Sequence, residues 1–192
     1  MLKKYQKLLK SICNKFKKKH KDVADVVIYG SSVKGKINSR DTDIMVIFFS
    51  TELKIRLEYV QELKNQLRVS LESIDVKSMN FSDFFDCAFL ARQGILIEGI
   101  SLIDQKPLSE KLGFKGYALI TYNLANLSHT EKIRFNYALN GRKGIGVLQD
   151  LKGISLGKGV VQIPIVNSLT FEEFLEKWNI KYKSKHALIS FY

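Results

Sequence analysis

The chain has 192 residues, 45% hydrophobic and 26% charged, with a formal net charge of +12. That balance fits a folded protein and excludes disordered and fibrous classes, and the length suits one large core or two small ones. Cys13 and Cys87 belong to no CxxC or Cys/His cluster, which excludes a disulfide scaffold and a zinc site, and the longest apolar run, Ile44–Phe49, is too short to span a bilayer. A cytoplasmic protein with no membrane partner is the expectation. The charge is polarised: residues 1–21 carry nine lysines and no acid, residues 22–128 are nearly balanced, and residues 129–192 are basic again.

Leu2, Tyr5, Leu8, Leu9, Ile12 and Phe16 recur at three- and four-residue spacing among lysines, which predicts an amphipathic helix over 2–16. Its lysine face suits plain solvation, contact with phosphates, or a membrane-surface or targeting segment, and against the last stands that every cation before His20 is lysine. VADVVIY at 23–29 predicts a strand stopped by Gly30, and 44–49 predicts a second, with the turn formers Gly35, Asn38 and Ser39 between them. A helix is expected over 52–71, with Leu53, Leu57, Val60, Leu63, Leu67 and Leu71 on one face. Ile74–Met79 alternates like an edge or half-buried strand.

FSDFFDCAFLARQG predicts a helix capped by Ser82 with Phe85, Ala88 and Phe89 inward and Gly94 at its end, and ILIEG a further strand. The order is that of an α/β (α+β) domain over 1–105, a mixed sheet with helices on one side. KPLSEKLGFKG marks a linker at 106–115, and a smaller α/β domain is expected over 116–192. Its elements read as helices near 116–126, 129–140 and 145–151, a strand at 159–166, a helix at 170–178 and a final strand.

The chemistry concentrates at GSSVKGKINSRDTDIMVIF, residues 30–48. Residues two apart on a strand share a face, so Asp41 and Asp43 present two carboxylates together. Their repulsion is relieved by a shared cation, and all-oxygen ligation favours Mg²⁺ or Mn²⁺ completed by water and phosphate oxygens. Gly30, Ser31 and Ser32 at the preceding strand's end suit an anion grip: a backbone open to close approach and hydroxyl donors. A third carboxylate would complete a two-metal site, and Asp75, alternating with Ile74 and Val76, is the best placed. Glu72, Asp83 and Asp86 fall outside that strand.

Gly30-Ser31, nine residues, Asp41-Thr42-Asp43-Ile44 and a carboxylate on a later strand together resemble the signature of the DNA polymerase β-like nucleotidyltransferase superfamily, particularly its minimal members. The resemblance spans about residues 20–105 and departs from the usual pattern at Thr42, where an apolar residue is common. It implies a mixed-sheet palm, an NTP substrate, Mg²⁺ (or Mn²⁺) on Asp41, Asp43 and Asp75, and a phosphate grip by Gly30, Ser31 and Ser32. The reaction implied is transfer of a nucleotidyl group to an acceptor hydroxyl with release of pyrophosphate.

Lys132, Arg134, Arg142 and Lys143, interleaved with Phe135 and Tyr137, suit a nucleotide or nucleic-acid strand. An ordinary helix with Ile133, Tyr137 and Leu139 in its core explains them equally well. Gly157 and Gly159 around Lys158 suit a tight turn before a strand, or a second anion loop. The C-terminal part is similar to extensions of small archaeal nucleotidyltransferase-domain proteins. An RNA or DNA end is the favoured acceptor. The alternatives are an antitoxin-like nucleotidyltransferase that modifies a partner protein, and a non-catalytic nucleotide- or nucleic-acid-binding module.

Overall fold

The computed structural model describes residues 2–30, 33, 42–69, 71, 73–142 and 144–190, with residues 2–6 described by their backbone alone. The chain divides into two units, 1–112 and 113–192. Among the described residues it forms a mixed α/β protein with two four-stranded sheets.

In the first unit, apolar β-rich runs form β1 (Val23–Tyr29), β2 (Thr42–Phe48) and β3 (Ile74–Asn80), with the two-residue β4 (Ile100–Ser101). The sheet order is β3-β2-β1-β4. β1 runs antiparallel to β2 and β4, whereas β2 and β3 are parallel, as a strand-helix-strand crossover through α2 (Leu53–Leu67) requires. Alternation then fills both faces of the sheet. Val26, Ile28, Ile44, Val46, Phe48 and Val76 pack with α1 (Leu2–Lys19) and α2. Val27, Met45, Ile47 and Met79 pack on the other side against Ile95 of α3 (Arg92–Glu98) and Leu108 of α4 (Leu108–Lys111). The two long helices thus share one side, as expected, and two short ones cover the other.

α1 buries Leu9, Cys13 and Phe16 and keeps its helical form through Lys19. Three lysines in its last turn face the negative end of the helix dipole. His20, which follows, is buried between the rings of Phe16 and Tyr59, and its Nε2 lies 3.1 Å from Glu62 Oε2. Lys19 Nζ donates to the other Glu62 oxygen at 2.8 Å. At the sheet's centre the buried Asp25 carboxylate accepts from Ser101 Oγ (2.7 Å), the Val26 N–H (2.7 Å) and Lys111 Nζ (2.6 Å), so its charge is compensated. Lys111 also pairs with Asp104 at 2.9 Å.

Several expected elements differ. In α2, Val60, Leu63 and Leu67 are buried but Leu53 and Leu57 are 60% and 56% exposed. At 100° per residue the inward stripe runs through Arg56, and Leu57 falls to its side. Arg56 is nearly covered and lies 3.6 Å from Asp83. The helix expected from Ser82 is a short 3₁₀ turn, Phe81–Phe85, because Asn80 and Asp83 close a reciprocal capping box over it. Phe85 and Ala88 point to solvent, and only Phe89 of the three expected inward residues packs on the core. ILIEG, expected as a strand, supplies α3 instead, with Gly94 inside the helix. A short apolar run fits a buried helix as well as a strand, and here tertiary packing of Ile95 decides.

In the second unit β5 (Phe114–Asn123) replaces the helix expected near 116–126. Its residues alternate with a period of two, burying Ala118 and Ile120. β5 pairs with β7 (Val160–Pro164) and β8 (Lys181–Ser190), and β6 (Ile154–Gly157) forms a hairpin with β7, giving an antiparallel sheet of order β6-β7-β5-β8. α5 (His129–Asn140) begins at a Ser128/Glu131 capping box. It buries Phe135 and Leu139, while Ile133 and Tyr137 are 41% and 44% exposed. α6 (Val147–Asp150) is a single turn, and α7 (Ser168–Lys177) buries Phe171 and Leu175. Phe135 stacks on Phe174 and meets Tyr122 and Trp178 edge-on, which places Trp178 in the aromatic packing of this unit.

Candidate active site

The register of the first sheet sets Tyr29, Asp43 and Asp75 in one row. Tyr29 of β1 pairs with Asp43 of β2, and Asp43 pairs with Asp75 of β3. Cross-strand partners project from the same face, which here is that of Met45, Met79 and α3. The row lies where β1 ends and β2 and β3 begin, so its polar groups sit at the margin of the core. Neighbouring strands are about 4.8 Å apart, so the two carboxylates spring from adjacent backbone positions.

Gly30 stands at the end of β1 with φ +77°, and a Cβ placed there would come 3.2 Å from Asp43 Oδ2. The glycine therefore serves two purposes. It adopts a left-handed backbone that L side chains avoid, and it leaves the Asp43 carboxylate room. Its carbonyl accepts from the Val33 N–H at 3.2 Å.

Asp75 is half-exposed, and Lys77 Nζ donates to its Oδ2 at 2.9 Å. The contact raises the Lys77 pKa above its usual value, chiefly through the hydrogen bond and charge of Asp75. Tyr29 also has a raised pKa: burial is the main cause, with the Asp43 charge next and Asp75 adding, against Lys77. The phenol is thus held neutral beside two acids.

A divalent cation fits this donor set, two oxygen-only side chains side by side on one face. Mg²⁺ commonly takes one or two carboxylates and fills its shell with water and phosphate oxygens. Among the described residues no group of three or more His, Cys, Asp and Glu gathers; Asp43 and Asp75 are the two acids of the row. Asp41, Ser31 and Ser32 lie outside the described residues.

The weaker acidic candidates have other occupations. Asp83 Oδ2 accepts from the Asn80 N–H (2.9 Å) and Asp86 Oδ1 from the Ala88 N–H (2.8 Å), while Glu72 lies outside the described residues.

Lys132, Arg134 and Arg142, the described ones among the four basic residues, do not form one cluster. Lys132 lines a cavity, Arg134 is exposed two residues along α5 on nearly the opposite side, and Arg142 lies over the Tyr137 ring at 5.0 Å. Lys143 lies outside the described residues. Tyr29 and Lys77 are the site neighbours that sequence reasoning did not single out. Lys77 carried a signal in its alternation with Asp75, whereas Tyr29 reaches the row only through hairpin register.

No curated protein matches the chain. Among solved structures, a crystal structure described as a toxin-antitoxin with AMP-PNP is 18% identical, covers 54% of this chain and 78% of that one, and aligns with a TM-score of 0.37. The family model described as Polymerase beta, Nucleotidyltransferase matches residues 10–107, a stretch that contains the whole Tyr29–Asp43–Asp75 row and Gly30. By that match over half its length, the chain belongs to the polymerase β nucleotidyltransferase family.

Proposed function

We propose that this protein is a Mg²⁺-dependent nucleotidyltransferase that moves a nucleoside monophosphate from an NTP to the hydroxyl of an RNA or DNA end. The observation that carries the reading is the direct pairing of Asp43 with Asp75 on parallel strands, with Gly30 against the Asp43 carboxylate. Family membership supports nucleotidyl transfer in general.

In this reading Asp43 and Asp75, joined by Asp41, hold the metal, and Gly30, Ser31 and Ser32 hold the triphosphate. Bound Mg²⁺ supplies positive charge at the reacting phosphate and lowers the acceptor hydroxyl's pKa. The Gly30 backbone admits phosphate oxygens where a side chain would block them. Asp75 would orient the acceptor hydroxyl, whose oxygen forms the new bond to the α-phosphorus as the bond to pyrophosphate breaks, its proton passing to solvent. Lys77 contributes one positive charge to a site that must accommodate a polyanion. Most of the acceleration would come from positioning and charge compensation, as in phosphoryl transfer generally. The basic second unit and α1 favour a polyanionic acceptor.

The test is incubation of the full chain with Mg²⁺, each α-labelled NTP in turn, and either cellular RNA or lysate protein. Label transferred to RNA and lost by at least about a hundredfold in a folded Asp43→Asn/Asp75→Asn variant is the expected result. Undiminished transfer by that variant overturns the assignment. Label on a protein instead would move the acceptor to a partner polypeptide, and nucleotide binding without turnover would leave a binding module.

A further inference from the structure

The second unit brings together two features that lie apart in sequence: Lys132 on α5, and the Gly157-Lys158-Gly159 turn joining β6 to β7. Both line one cavity of about 700 Å³, within the size range of small-ligand sites. The geometry points to a second binding site here, for the phosphate-bearing unit of a nucleotide. Choosing a nucleotide over other anions rests on the nucleotidyl-transfer reading above.

Charge comes first. The cavity's lining, among the described residues, contains two lysines and no carboxylate. Among the described residues neither Lys132 nor Lys158 forms an ion pair. Two of the five acids of unit 2 are used elsewhere: Glu131 accepts from Ser128 at the α5 cap and Glu176 from Tyr182. Two lysines on the wall of one concavity, with no ion pair among the described residues, give it a positive potential that an anion relieves.

The remaining lining is suited to what accompanies a phosphate in a nucleotide. Asn136 and Asn140 stand one turn apart on the cavity side of α5, beside Asn123 at the end of β5 and Ser155 on β6. A side-chain amide offers a donor and an acceptor together, the pairing needed at a base edge or a sugar hydroxyl. Tyr122 also lines the cavity, and its ring meets Phe135 edge-on.

The turn is rigidly placed. Gly159 has φ +73°, and a Cβ there would stand 2.6 Å from the Tyr122 carbonyl oxygen. The Tyr122 N–H donates to the Gly159 carbonyl at 2.8 Å, locking the turn to β5. At Gly157, by contrast, a Cβ would meet nothing within 4 Å. Gly159 thus fixes the turn that presents Lys158, while Gly157 leaves the neighbouring backbone open to an approaching phosphate.

The experiment uses the full chain in EDTA, so that binding at the metal-dependent site is suppressed. Lysine acylation of wild-type protein, mapped by mass spectrometry, is measured alone, with AMP, and with an oligoribonucleotide of about eight residues. Protection of Lys132 and Lys158 is expected. Protection by AMP alone assigns a free nucleotide, and protection by the oligonucleotide only assigns a strand.

In parallel, fluorescence anisotropy should show the ligand that protects binding at least about tenfold more weakly to Lys132→Ala/Lys158→Ala. With the oligonucleotide, two lost phosphate contacts should flatten the log–log salt slope by about 1.4. Protection of neither lysine by either ligand overturns the inference, as does binding lost in Lys10→Ala/Lys18→Ala on α1 but unchanged in the cavity variant. The footprint needs no turnover, so its failure beside active transfer removes this site alone. Protection beside absent transfer removes only the catalytic reading.

Discussion

Gly30→Ala tests the geometry at the centre of the candidate site. At φ +77° an alanine is forced into the left-handed region, at a cost of about 1–2 kcal/mol. The new Cβ would also stand 3.2 Å from Asp43 Oδ2, so the carboxylate must yield by a few tenths of an ångström. For a unit of this size each kcal/mol lowers the melting temperature by about 4–8 °C, and a fall of about 5–15 °C is expected. Misplacement of a reacting group by about 1 Å can cost a hundredfold, so a shift of tenths should cost roughly tenfold in transfer. Gly94→Ala is the internal contrast, since Gly94 lies inside α3 with nothing within 4 Å of its would-be Cβ. It should stabilise by about 0.5–1 kcal/mol. Thermal melts followed by circular dichroism, with labelled-NTP transfer at 25 °C, read both effects. A Gly30→Ala protein melting within a degree of wild type would refute the left-handed conformation. One that melts lower but transfers at the wild-type rate would refute the importance of the Gly30–Asp43 contact.

Two further outcomes follow from buried and paired groups. The Glu62 pKa is lowered by the Lys19 hydrogen bond, against burial and with help from His20, so its contribution to stability is present above its unfolded value of about 4.5 and lost as pH falls through the lower folded value. Urea melts between pH 6 and 3 should accordingly show a flatter acid limb for Glu62→Gln, and an equally steep limb would dismiss the pairing as its source. Cys13 is fully buried, its thiol pushed up to about 12 by burial and then by the Asp25 charge, whereas Cys87 is exposed. Ellman's reagent at pH 8 should titrate one thiol rapidly and the second only on unfolding, and two equal fast reactions would contradict the packing of α1.

The strands that carry the site were legible because their apolar runs are bounded by unmistakable interruptions. Gly30 closes β1, and alternation around Asp75 identifies both β3 and the face that the acid shares with Lys77. What could not be read was register. Whether Asp43 lies opposite Asp75, and whether Tyr29 joins them, depends on how separate strands slide past one another, and neither strand encodes that alone. ILIEG and GYALITY were misassigned for the complementary reason. Short apolar runs fit either period, and the choice was made by packing of Ile95 onto the sheet and by pairing of β5 with two neighbours. That Lys132 and Lys158 line one cavity was hidden likewise, because it requires a hairpin whose first strand, β6, is only four residues long.

The Asp25 network has a consequence for where the first unit can be cut. Asp25 lies in the central part of the sheet, yet its compensating cation comes from Lys111, in the helix just before the unit's end at residue 112. A fragment ended after residue 105 would keep every strand of that sheet and the Ser101 hydroxyl, but would strand an ionised carboxylate in the interior. Losing one partner of such a pair costs several kcal/mol, a large share of what holds a unit of this size together. Lys111 is therefore the electrostatic end of the first unit, beyond the last residue that its sheet requires.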